Sequence, residues 1–256
     1  MPVIDYSRAL LAALLPCLVL AGGCAAMEPQ ESQPEQVSEV DPWEATNRRI
    51  DEFNTRVDDA TLKPIAQGYD KVMPDFLQQG ISNFSDNLRG PLHIINNFLQ
   101  GDGSEGFSET GRFLVNSTLG VGGLLDVASR MGFEKYSEDF GQTLAVWGVP
   151  AGPYVMVPFY GPQTLRDALA LPLDFLADPL LWYEHDRIRY SIFALRSIDL
   201  RARFLSVEKF VKDSYDPYIA LRESYLQHRQ FEIYDGDPPV DEDFYDDFLE
   251  DLPEPE

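Results

Sequence analysis

The sequence predicts a mainly α-helical single domain over residues 41–234, and three observations carry that expectation. Apolar residues recur at helical spacing through most of that stretch. Asp-Pro and Gly-Pro pairs punctuate it where helices would start and stop. The one β-prone run, Tyr154-Val155-Met156-Val157, is bracketed by glycines and prolines, which suits a short apolar hairpin or loop and not a sheet core.

The chain opens with one basic residue, Arg8, then an apolar run over residues 9–21, then Gly22, Gly23 and Cys24. At about 1.5 Å per residue the run falls short of a bilayer core of roughly 30 Å. It has the length of a signal-peptide core, so residues 1–23 are expected to be cleaved. A cysteine directly after Ala21-Gly22-Gly23 resembles the lipobox of bacterial lipoproteins, whose thiol takes a diacylglyceryl group; Ala21 stands where Leu is usual. Cys17 is a poor rival, because Pro16 stands where a small residue is needed. It would leave with the signal peptide, so no disulfide is expected in the mature chain. Ala25 follows the anchor where Asp would mark retention in the inner membrane, so by resemblance to other lipoproteins the address is the outer membrane of a Gram-negative bacterium, on its periplasmic side.

Residues 24–40 lack aromatics and are rich in Glu, Gln, Ser and Pro, the composition of a lipidated, disordered tether. Residues 235–256 hold eleven Asp or Glu and no Lys or Arg, and are expected to form an acidic disordered tail. Phe244, Tyr245, Phe248 and Leu249 offer that tail one helical turn for docking. The formal net charge of −23 excludes nucleic acid as a partner, since phosphate binding requires a basic surface.

Within the domain, Asp41-Pro42-Trp43-Glu44 reads as N-cap, Pro at N1 and Glu at N3 of a first helix striped by Trp43, Ile50, Phe53 and Val57. Lys63-Pro64 interrupts it, and a shorter segment runs to Val72. A helix from Pro74 carries Phe76, Leu77, Ile81, Phe84 and Leu88 to a predicted stop at Gly90-Pro91, with a further helix over 91–100 closed by Gly101. Next come a helix over 104–118, a break at Gly120-Val121-Gly122-Gly123 and a short helix ending near Gly132. After the apolar segment 147–162, a short helix over 164–171 leads into the Pro-interrupted apolar run 171–183. Its density of Leu, Phe and Trp suits a body lying partly in lipid or buried helix-turn packing; periodicity does not choose between them. Helices over 186–213 and 216–234, the second opened by Asp216-Pro217, are predicted to be the longest and carry most of the basic residues.

Familiar chemistry is absent from the sequence. There is no Gly-x-Ser-x-Gly elbow, His-Glu-x-x-His helix, Walker loop or spaced cysteine cluster. His93, His185 and His228 lack ligand spacing and read as surface or interface side chains. Glu138-Asp139 reads as helix N-terminal charge and not as an acid–base dyad. No catalytic residue, metal ligand or cofactor is expected beyond the covalent lipid on Cys24.

An ordered set of motifs resembles the MlaA/VacJ family of outer-membrane lipoproteins. It runs from Asp41-Pro42-Trp43-Glu44 through Asn47-Arg48, Phe53-Asn54, Lys63-Pro64 and Asn97-Phe98-Leu99-Gln100-Gly101. It continues with Arg112-Phe113, Gly141-Gln142-Thr143, Trp147-Gly148, Gly152-Pro153-Tyr154, Leu165-Arg166-Asp167 and Asp216-Pro217-Tyr218. The resemblance implies a ring of amphipathic helices around a lipid channel. Its members remove phospholipid misplaced in the outer leaflet and pass it to a soluble periplasmic carrier, MlaC, which preserves outer-membrane asymmetry. It also implies trimeric porins as neighbours. A structural lipoprotein that braces porins or the envelope is the alternative, and an esterase is a distant third without a nucleophile motif.

Against that background two sets of residues stand out. Phe53 and Asn54 set the register of the first helix, because deleting them would turn the later stripe by about 200° at about 100° per residue. Trp147, Gly148, Gly152, Tyr154, Val155, Met156, Val157 and Phe159 belong to a hairpin that either lines or gates the lipid path or plugs the helical core as a packed loop.

Overall fold

A computed structural model describes residues 40–239. The signal peptide, Cys24, the tether before Val40 and the tail beyond residue 239 lie outside the described residues. The described residues form ten α-helices, a 3-10 turn and one two-stranded antiparallel hairpin. None of these helices is long and apolar enough to cross a membrane.

The first helix, α1 (Glu44–Ala60), begins three residues after Asp41 and has no side-chain cap. Pro42 and Trp43 form a turn that carries the Asp41 carboxylate away from the first amides, so Asp41 is not the N-cap that the sequence predicts. α2 (Leu62–Val72) follows directly and holds Pro64 in its first turn, where a proline removes no intrahelical bond. α3 (Asp75–Gln100) spans 26 residues and runs through Gly90-Pro91, where the sequence predicts a stop. The reason is packing: a Cβ on Gly90 would lie 2.8 Å from Phe113 Cδ2, so glycine there admits α4 (Gly103–Thr118) to close contact. That contact offsets the backbone bond forfeited at Pro91. Gly101, at φ 96°, closes α3 as predicted.

The glycine-rich stretch after α4 is indeed a break, and α5 (Val127–Arg130) and α6 (Phe140–Val146) follow. Each is capped by an aspartate: Asp126 accepts from Ser129 N and Asp139 from Gln142 N. Asp139 thus has the helix N-terminal role expected of it. Strands β1 (Tyr154–Val157) and β2 (Gly161–Thr164) make the hairpin. α7 (Leu165–Ala177) then continues through Pro172, six residues beyond its predicted end, and a 3-10 turn spans Pro179–Trp182. The helix predicted over 186–213 breaks at Phe204 into α8 (Asp186–Arg203) and α9 (Leu205–Lys212). α10 (Pro217–Ile233) completes the order, so the longest helix is α3 and neither of the two predicted.

The packing closes into a circuit. α1 meets α2, α2 meets α8, α8 meets α3, α3 meets α6, α6 meets α10, and α10 meets β2, while β1 returns to α1. Burial runs opposite to that of a water-soluble domain. Among the described residues nine hydrophobic and nineteen polar or charged residues are buried, while forty large hydrophobic residues are exposed. Single exposed apolar residues are ordinary, but such an inversion requires a non-aqueous or protein neighbour.

Candidate lipid path: the hairpin and the residues that hold it

β1 and β2 pair in the register Tyr154↔Thr164, Val155↔Gln163, Met156↔Pro162 and Val157↔Gly161. The other edge of β1 would present unpaired backbone groups, and α1 covers it with asparagines seven residues apart. Asn47 donates from Nδ2 to Tyr154 O at 3.1 Å and accepts from Met156 N at 2.9 Å. Asn54 donates to Val157 O at 3.0 Å and accepts from Phe159 N at 2.8 Å. Val40 O accepts from Tyr154 N at 2.8 Å, so the last residue assigned to the tether already belongs to the hairpin's frame. A side-chain amide has one donor and one acceptor side, so two asparagines two helical turns apart reproduce a neighbouring strand. Pro162 faces Met156, whose N–H is turned to α1, so its missing donor costs the ladder nothing.

The stem is anchored by its side chains too. Tyr154 and Met156 are 1 % and 2 % exposed and form the core with Tyr218 of α10. Tyr154 meets Tyr218 edge to face at 6.1 Å and Tyr225 at 6.3 Å. The tip differs: Phe159 is exposed, has φ 63°, and touches only the edge of Phe53 among aromatic rings, at 5.2 Å.

α1 and α10 are locked around this stem. The buried Asp41 carboxylate accepts from Asn47 Nδ2 at 2.8 Å, Tyr218 OH at 2.5 Å and Arg222 Nη1 at 3.3 Å. Arg48 reaches Asp216 in a two-pronged bond of 3.1 and 2.7 Å, and its guanidinium lies 4.4 Å from the Tyr218 ring centre. Asp216 also caps α10, as its Asp-Pro pair predicts. On the β2 side, the buried Arg229 guanidinium bridges Asp139 at 2.6 and 2.8 Å and Asp167 at 3.1 and 3.2 Å. Burial pushes both carboxyls up, but Arg229 outweighs it and holds both below the usual range. Asp167 further accepts from Tyr225 OH at 2.9 Å and Arg166 Nε at 3.0 Å.

Where α3 meets the irregular segment before α6, His93 is buried instead of lying at the surface, and its Nδ1 sits 2.8 Å from Glu138 O. Burial pulls its pKa down to about 4, so the ring is neutral and Nδ1 carries the proton that it donates. Burial pushes the Glu138 carboxyl up to about 7, despite the bond it accepts from Gln100 at 2.7 Å.

Of the residues singled out in the sequence, the structure brings together Phe53, Asn54, Tyr154, Val155, Met156, Val157 and Phe159. Gly148 and Gly152 adopt φ of 86° and 68°, left-handed values that favour glycine. Trp147 is exposed and donates from its indole to Leu99 O on α3 at 3.0 Å, apart from the stem. Asn47 and Asp167 stand in the motifs that carry the resemblance and Asp139 reads as a helix N-terminal charge, but sequence reasoning missed that they and Arg229 hold the hairpin. The asparagine spacing of seven along α1 was a usable signal; nothing local pointed Arg229 at residues more than sixty positions away.

The fold and site define a helical body, polar within and apolar without, built around a strapped hairpin. Residues 39–232 match the family model described as MlaA lipoprotein. The chain belongs to the MlaA lipoprotein family. It is 36% identical over 225 residues to the intermembrane phospholipid transport system lipoprotein MlaA of Escherichia coli K12, covering 86% of this chain and 87% of the relative. It is 31% identical over 238 residues to the protein of the same description from Haemophilus influenzae, covering 90% and 92%. A solved structure described as "Structural basis for maintenance of bacterial outer membrane lipid asymmetry" is similar, with a TM-score of 0.65, 38% identity and coverage of 75% of this chain and 98% of that one.

Proposed function

We infer that this chain is the outer-membrane lipoprotein of a phospholipid transport system that maintains lipid asymmetry. The observation that carries the reading is the inverted distribution of apolar side chains on a body of this family: forty large hydrophobic residues are exposed among the described residues. Such a surface is stable against acyl chains and costly against water. The physical need for such a protein follows from magnitudes. Two acyl chains of about sixteen carbons cost ~0.8 kcal/mol per methylene in water, over ~20 kcal/mol together. A bare headgroup in hydrocarbon is also costly. A passage with one polar and one apolar side lowers both penalties, and it needs no bond-making residue.

Finer parts of the reading are proposals. Cys24 carries the lipid that tethers the domain through residues 24–40. The cargo leaves to a soluble periplasmic carrier, and trimeric porins flank the body. The hairpin borders the lipid path with a fixed stem, and its tip at residues 158–160, held closed by the Asn54–Phe159 bond, by Phe159 on Phe53 and by Tyr160 on Phe175, gates the path when those contacts open. The test is surface-exposed phospholipid in a strain lacking the gene, with and without its restoration. Accumulation that the restored gene reverses is expected. Unchanged surface phospholipid in the deletion strain would remove the transport reading. For the anchor, Cys24→Ala should abolish fatty-acid labelling, and persistent labelling would exclude Cys24.

A further inference from the structure

α9 is turned inside out relative to an ordinary surface helix. Its carboxylate Glu208 points inward and accepts from Lys63 Nζ at 2.7 Å, Arg201 Nη2 at 2.5 Å and Lys212 Nζ at 2.5 Å. Its two most exposed apolar residues lie on the other side, while Leu205 and Val211 are half-buried. Phe204 just before the helix, then Val207 and Phe210, are 54%, 51% and 77% exposed, and Tyr215 just after it is fully exposed. Left in water, this arrangement would waste apolar surface that a simple rotation of the helix could bury. The four-charge cluster on the inner face blocks that rotation, so the outward face is specified and not incidental.

Beside the apolar ridge, Lys63, Lys209 and Lys212 line an open cleft of about 340 Å³ together with Gln67, Leu205 and the carboxylates of Glu208 and Asp213. Lys63 and Lys212 are committed to Asp59 and Glu208. Lys209 is exposed and makes no ion pair among the described residues. Rings that meet acyl chains, beside one ammonium, Lys209, left for a phosphate, are the chemistry of a helix lying in a lipid interface. A protein surface covering Phe210 would have to desolvate Lys209 as well, a cost that a wet headgroup layer does not impose.

We propose that α9, with Phe204 and Tyr215, is a binding site for anionic glycerophospholipid at the membrane surface, its rings among the acyl chains and Lys209 on the headgroup phosphate. The site rests on the phospholipid-transport reading, but it is separate from the hairpin and sets which lipids surround the body. Selectivity follows from charge. One lysine near a lipid surface is worth about fivefold in association, so replacing it by a carboxylate should shift the preference for anionic over zwitterionic lipid about 30-fold.

The test uses the full lipidated chain in proteoliposomes with Phe210→Trp as reporter and the parent protein as background for the native tryptophans. Lipids brominated in their acyl chains are supplied either as phosphatidylglycerol or as phosphatidylcholine at equal fraction. The expected result is quenching of the position-210 signal, stronger with brominated phosphatidylglycerol, and loss of that preference when Lys209→Glu is added. Absence of quenching would place position 210 in water or against protein and overturn the proposal, and so would equal quenching by the two headgroups. If Phe210→Trp still restores normal surface phospholipid in the deletion strain while quenching is absent, this site fails and the transport reading stands. A deletion strain with unaltered surface phospholipid would instead sink the transport reading itself.

Discussion

The seam around the hairpin and the stretch from α7 to α9 are built on opposite terms. At the seam, polar side chains are buried and nearly all have named partners: Asn47 and Asn54 on β1, Asp41 on Tyr218 and Arg222, Arg229 between Asp139 and Asp167. From α7 to α9, Leu169, Trp182, Tyr190, Phe193 and Phe210 are exposed. Hydrogen bonds have direction, so the first region specifies one geometry. Apolar contact has none, so the second specifies only an environment. On the proposed function, a body that keeps a passage in shape while its outside meets fluid lipid needs both, and each can be broken separately.

The largest effect is expected at Arg229. Arg229→Met leaves the buried Asp167 carboxylate and the half-buried Asp139 carboxylate facing one another, and removing one side of a buried ion pair costs ~3–5 kcal/mol. Thermal unfolding of the detergent-solubilised protein should show that loss; a shift below about 1 kcal/mol would mean that the network is not structural. Asn47→Leu comes next, since it strands Tyr154 O, Met156 N and part of Asp41 in a buried place, at about 2–4 kcal/mol. Hydrogen exchange at the Met156 amide should accelerate while the α4 amides stay protected. Equal acceleration in both would show that the seam does not act locally.

Glu138 gives a smaller effect of defined sign. Its carboxyl is raised from 4.5 to about 7, so the folded state favours the protonated form. The stabilisation is therefore fully present below about pH 4.5 and lost as pH rises through about 7, a swing of about 2–3 kcal/mol. Glu138→Gln should flatten that part of the stability profile relative to the parent. A slope unchanged by the substitution would assign the swing to another group. Smallest in folding terms is the outward face: Leu169→Ser should alter stability in detergent by less than about 0.5 kcal/mol. The same change should lower the fraction recovered with membranes when combined with Leu176→Ser. If both proteins lose stability in detergent instead, α7 packs against protein and not lipid.

Much of this comparison was legible in the sequence, though unevenly. Helix content, the Gly101 and Asp216 boundaries and the hairpin follow from local rules that act within four residues. The continuity of α3 through Gly90-Pro91 was not legible, because the glycine answers to Phe113 on another helix. Asp41 had the look of an N-cap, yet its carboxylate is claimed by Tyr218 and Arg222, more than 170 positions away. In the 147–162 segment the stem is packed core, as a plug would be, while the tip at Phe159 is exposed. Gly152 illustrates the same limit. Glycine at φ 68° is a conformational requirement of the stem, so a proline there, fixed near φ −65°, would disrupt the fold rather than stiffen a hinge.

The fixed stem and moving tip can be tested by pinning the tip to α1. Phe53→Cys and Phe159→Cys replace two rings that lie 5.2 Å apart, and a short bifunctional thiol reagent can join them. The readout is surface-exposed phospholipid in the deletion strain carrying this double variant, with the single variants and untreated cells as controls. Linked protein at normal outer-membrane abundance should leave as much surface phospholipid as the deletion, while the singly substituted proteins clear it. Clearance at the parent rate by fully linked protein would contradict a moving tip.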